Sequence, residues 1–170
     1  CLTISPICPC WVEAVQERYL LLISRDDILS SMGDDFNTRL FRLLARFTRN
    51  GYHLLATASQ PERWSSRSGG PDDALLGPDS IRRRLSDAGG ALDGVYYVPR
   101  SLLTQKRNRV QALEDMLQRY AVTPDRCYLF SSAKNYVTVA RGLGIHATYL
   151  TPKKALIDEL KALSKTVAPK

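Results

Sequence analysis

The chain has 170 residues, 44% of them hydrophobic and 24% charged, which bounds it to one ordinary globular domain with a sizeable core. No apolar run approaches the roughly 20 residues that a membrane-spanning helix needs. A formal charge of +7 turns the search for partners toward anions: phosphorylated metabolites, an acidic protein or nucleic acid.

Residues 1–18 read as a Pro- and Cys-containing lead-in with a short helix, Trp11 to Arg18. The chain starts with Cys1 rather than Met, which leaves room for an upstream piece. The apolar run Tyr19–Ile23 then predicts a buried strand that delivers Ser24-Arg25-Asp26-Asp27 as a polar turn. Asp34 and Asp35 are placed to cap a helix from about Phe36 to Asn50, stopped by Gly51. Its apolar residues Phe36, Leu40, Leu43, Leu44 and Phe47 have helical spacing, and Arg39, Arg42, Arg46 and Arg49 share another face.

Tyr52–Thr57 reads as the second strand, ending in the turn Ala58-Ser59-Gln60-Pro61. The Ser-, Gly-, Pro- and Asp-rich stretch 62–78 reads as a loop, and a helix at about 79–87 ends at Gly89-Gly90. Gly94–Val98 is the third strand, and Arg107–Tyr120 a helix with Val110, Leu113, Met116 and Leu117 inward. Cys127–Phe130 is the fourth strand, Ser131–Asn135 a polar turn and Tyr136–Gly142 a helix. A fifth strand, His146–Leu150, and a helix at about 153–164 close the pattern, before a frayed tail at 165–170.

Strands alternating with helices at these spacings predict an α/β domain over 19–164, a doubly wound parallel sheet with right-handed crossovers. No internal repeat, second core or sizeable cap is visible. Ligands of such sheets bind beyond the carboxyl ends of the strands, where Ser24–Asp27, Thr57–Gln60 and Ser131–Asn135 all land.

Small hydroxyls and backbone N–H groups at Thr57, Ala58 and Ser59 suit a phosphate. Lys106 is placed to neutralise its charge, and Asp26 to exchange a proton with a leaving oxygen. Taken singly, each also has a structural role as a turn, cap or solvated residue. Of the four cysteines, Cys8 and Cys10 stand too close for a zinc knuckle, with no second Cys/His pair after them. Cys127 sits in an apolar run, so buried reduced thiols in a cytoplasmic protein are the expectation.

In order and spacing these residues resemble the haloacid dehalogenase superfamily, in particular its histidinol-phosphate and heptose-bisphosphate phosphatase branch. Ile23-Ser24-Arg25-Asp26-Asp27-Ile28-Leu29-Ser30 lies without a gap over that branch's strand and Asp-Arg-Asp-Gly-Val-Ile-Asn motif. Leu55-Ala56-Thr57-Ala58-Ser59-Gln60 is similar to its strand ending in Thr-Asn-Gln. Leu92–Arg100 matches the strand that leads into its zinc loop, and Lys106 falls at or near the third-motif lysine. The resemblance spans about residues 19–150.

The resemblance implies a phosphatase-like hydrolase fold, and its departures imply lost chemistry. Ser24 stands where the family's nucleophilic, magnesium-binding aspartate would be, and Ser132 and Tyr136 stand at its fourth-motif acids. A hard cation seeks anionic oxygen donors, so most magnesium ligands are missing and no cofactor is expected. Val98 and Arg100 replace the zinc-loop Cys and His, so no structural zinc is expected either. Asp26 keeps the acid/base position, and Thr57 and Lys106 the phosphate side.

The expected function is therefore a catalytically degenerate, phosphatase-like protein that binds a phosphate or phosphosugar without efficient hydrolysis. One alternative is an active phosphomonoesterase on a small sugar phosphate. The other is a basic interaction protein with an acidic partner. Nucleic acid ranks low because aromatics do not interleave the basic clusters, and the sequence fixes no oligomeric state.

Overall fold

Leu20, Leu21, Leu22 and Ile23 are apolar in unbroken succession, and such a strand is stable only where both faces of its sheet are covered. All four are fully buried. They belong to β1 (Tyr19–Ser24), the central strand of a five-stranded sheet. The computed structural model describes residues 17–31, 36–59, 81–98 and 105–166. The predicted loop at 62–78, the caps Asp34 and Asp35 and most of the lead-in and its helix lie outside these residues. Glu17 and Arg18, the last two of that expected helix, are not helical.

On one side β1 pairs in parallel with β2 (Tyr52–Ser59), from Tyr19 opposite Tyr52 to Ser24 opposite Thr57. On the other it pairs with β4 (Cys127–Ser131), from Leu20 opposite Cys127 to Ile23 opposite Phe130. Outside these lie β3 (Gly94–Val98) on β2 and β5 (His146–Tyr149) on β4, also parallel. The order β3-β2-β1-β4-β5 reverses direction of growth after β3, as in a doubly wound sheet.

The helices among the described residues are α1 (Arg25–Ser30), α2 (Phe36–Arg49), α3 (Ile81–Asp87), α4 (Gln105–Tyr120), α5 (Lys134–Gly142) and α6 (Leu156–Thr166). Leu21 and Ile23 point to the core made with Leu40 and Leu44 of α2, Ile81 and Leu85 of α3, and Leu156 and Leu160 of α6. Leu20 and Leu22 point the other way, to Leu113 and Met116 of α4 and Tyr136 and Ala140 of α5. Cys127 lies in this second core, where burial pushes its thiol pKa up to about 12. It is a buried free cysteine, not a reactive one. No described helix is long and apolar enough to cross a membrane.

Several boundaries differ from the sequence pattern for local reasons. Ser24-Arg25-Asp26-Asp27 is not a turn: α1 starts directly after β1, and its first-turn acids Asp26 and Asp27 favour the positive end of the helix dipole. β2 continues past Thr57 because Ala58 and Ser59 find partners on β3 in Tyr97 and Val98. α6 starts at Leu156 rather than Lys153, since Thr151 and Lys154 close a small backbone bridge that holds residues 151–154 out of the helix.

The chain leaves α3 through Gly89, whose φ of +82° is a left-handed conformation that glycine adopts without strain. Gly90 then passes close against α2. A Cβ on Gly90 would lie 2.6 Å from Ala45 Cα and 2.9 Å from a Leu85 methyl. Gly90→Ala is expected to cost about 1–3 kcal/mol through overpacking. Urea unfolding checks this, and a variant as stable as the wild type would contradict the close approach of α3 to α2.

Candidate functional site at the strand ends

The central strands β2, β1 and β4 are neighbours, so their carboxyl ends place Ser24, Thr57 and Ser131 side by side. Ser24 precedes α1 with extended backbone, and its hydroxyl makes no capping bond. Thr57, directly opposite Ser24 in the ladder, is buried, as are Ala58 and Ser131. Ser59 ends β2 opposite Val98. The Ser131 hydroxyl oxygen accepts the Ala133 N–H at 3.1 Å, which shapes the turn into α5.

Asp27 is the residue that ties these ends together. It is 7% exposed, and its Oδ2 accepts the Ser132 backbone N–H at 2.9 Å. The hydroxyls of Ser30 and Ser31 donate to its carbonyl oxygen at 3.1 and 2.7 Å. A carboxylate from the first strand end thus clamps the loop of the fourth. Sequence reasoning passed over Asp27, because the turn it was assigned to does not fix which way its side chain faces. A helical reading of 25–30 would have put Asp27 beside the buried Ile28.

Asp26 takes the opposite course. Its side chain is 76% exposed and pairs with Arg25 at 3.3 Å. Lys106 lies exposed in the first turn of α4. Among the described residues no hydrogen bond or ion pair joins Asp26 or Lys106 to Ser24 or Thr57. The two histidines stand at the other end of the sheet. His53 is the second residue of β2, 3.5 Å from Asp93, and His146 opens β5 against the Tyr128 ring. Neither is placed to activate Ser24 as a base.

Of the two residues expected at the fourth motif, Ser132 is exposed, and its N–H belongs to the Asp27 clamp. Tyr136 is 6% exposed in the core between the sheet and α4, and its hydroxyl has no hydrogen-bond partner among the described residues. Burial first, and then the nearby Cys127 and Tyr96, push its pKa well above the usual phenol value. These residues do not fit magnesium. Neutral hydroxyls stand where the sequence resemblance implies acids, the nearest buried carboxylate is engaged, and no three His, Cys, Asp or Glu side chains converge among the described residues.

No protein-family profile matches the chain, and no curated protein does. Among solved structures, it is similar to an uncharacterized protein from Corynebacterium glutamicum, at 17% identity and a TM-score of 0.55, over 84% of this chain and 93% of that one. It is also similar to the D,D-heptose 1,7-bisphosphate phosphatase from B. bronchiseptica, solved with magnesium and phosphate. That likeness has 14% identity and a TM-score of 0.56, over 86% of this chain and 99% of that one. The sheet order, the flanking helices and these likenesses together give the chain a doubly wound, Rossmann-like α/β fold, the fold of these two solved structures.

Proposed function

We propose that this is a phosphatase-like protein that binds a phosphate or phosphosugar at its strand ends and does not hydrolyse it. The observation that carries the reading is Tyr136, a core residue at the position of an acid the reaction needs. Ser24 agrees with it: a neutral hydroxyl with no histidine near it is a poor nucleophile. In this reading the backbone and hydroxyls of Thr57–Ser59 hold phosphoryl oxygens, and Lys106 and Asp26 bear on the ligand from the exposed rim. A reducing, cytoplasmic setting suits the buried free thiol of Cys127.

The purified chain is expected to give no magnesium-dependent turnover of p-nitrophenyl phosphate. Inorganic phosphate or a sugar bisphosphate is expected to raise its Tm, because a ligand bound only to the folded state stabilises that state. Magnesium-dependent turnover that disappears in Asp26→Asn would instead establish a working phosphomonoesterase. No Tm change with either compound would remove the phosphate platform.

A further inference from the structure

The opposite end of the sheet carries a site of another kind. Tyr52 opens β2, and its ring is held between Tyr19, stacked at 4.9 Å, and Phe47, edge-on at 5.1 Å. The residue is 4% exposed, and its hydroxyl has no hydrogen-bond partner among the described residues. Burial, with Tyr128 and Tyr19 nearby, raises its pKa, so the hydroxyl remains a donor across the physiological range. A buried, oriented donor without an acceptor is costly to the folded protein.

Tyr52 lines a small open groove with Arg46, Phe47, Asn50 and Ser164, where the last turn of α2 meets α6. Ser164 donates its own proton to the Lys161 carbonyl. The lining residues with donors to offer are Arg46, Asn50 and Tyr52, whose hydroxyl is closed off from solvent until a ligand uncovers it, a set suited to a carboxylate. Arg46 also belongs to the exposed row Arg39, Arg42, Arg46 and Arg49. At 3.6 residues per turn these four fall within about 80° of arc, one stripe that runs along α2 to the groove.

We propose that this surface docks an acidic segment of a partner protein. One carboxylate side chain of the segment sits in the groove against Tyr52 and Arg46, and its acidic neighbours lie along Arg39, Arg42 and Arg49. Net charge of +7 favours the encounter, and the groove supplies the register. A peptide is favoured over nucleic acid because single strands need aromatic faces to stack on. Among the described residues the only exposed large apolar side chain is Tyr149, on the edge strand β5.

The test uses the full chain and a fluorescein-labelled peptide of alternating Glu and Gly, with labelled oligouridylate as the comparison. The peptide is expected to bind with an affinity that falls as salt rises. Arg42→Gln with Arg46→Gln should weaken it about fivefold. Tyr52→Phe keeps the ring and should weaken it about tenfold, with a Tm unchanged or raised because the unpartnered hydroxyl is gone. Failure of the wild type to bind the peptide would overturn the acidic-partner surface. Binding indifferent to Tyr52→Phe would overturn the groove. A Tm lowered by Tyr52→Phe would show the hydroxyl to be structural, and tighter, Tyr52-independent binding of oligouridylate would reassign the stripe; either result overturns the proposal.

Discussion

Tyr136→Asp is expected to unfold the protein rather than rebuild a metal site. Tyr136 packs on α5 with Leu22, Leu55 and Cys127 in the core beneath α4. Removing a buried aromatic ring typically costs about 3–5 kcal/mol. A carboxylate in its place adds a desolvation penalty of several kcal/mol, which the Arg109 guanidinium, the cation that acts on position 136, offsets only in part. Together these approach the roughly 5–15 kcal/mol that holds a domain folded. Tyr136→Phe, by contrast, removes only a hydroxyl that has no partner, and should be neutral or stabilising by up to about 1 kcal/mol. Urea unfolding followed by circular dichroism compares the two. An aspartate variant as stable as the wild type would mean that position 136 faces the site and not the core.

Asp27→Ala should cost about 1.5–3 kcal/mol, the range for a hydrogen bond to a charged group. It leaves the Ser132 N–H without its acceptor and frees the loop between β4 and α5. Asp27→Asn keeps an acceptor oxygen and should lose less. Amide exchange reads the clamp directly, because the Ser132 amide should exchange much faster in the Ala variant and modestly faster in the Asn variant. Unchanged exchange in Asp27→Ala would show that the contact does not hold the loop.

Much of the fold was legible because its signals are local. The unbroken run Leu20–Ile23 could only be a strand covered on both faces, and the apolar spacing through Leu40, Leu44 and Phe47 marked α2. The strand ends were legible by the same logic, since a parallel sheet gathers polar turns on one edge. What escaped was set by side-chain direction. α1 has six residues, too few for a periodicity to separate it from a turn, so the inward Asp27 and outward Asp26 looked alike. Tyr136 was identified by its place in a motif, but the core around it is completed by Leu22 of β1 and Leu55 of β2, which are distant in sequence. Tyr52 looked like an ordinary strand residue, because its orphaned hydroxyl depends on the packing of Tyr19 and Phe47 around it.

The burial of β1 on both faces bears on binding as well as on folding. Its side chains alternate between the two cores, so neither helical layer can melt and leave the other intact. Ser24, at the end of that strand, is therefore held by the whole protein's cooperativity rather than by a local loop. A ligand arriving there meets a backbone whose conformational entropy was already lost at folding. Its affinity would be set by the few polar groups at the rim, with little ordering cost to subtract.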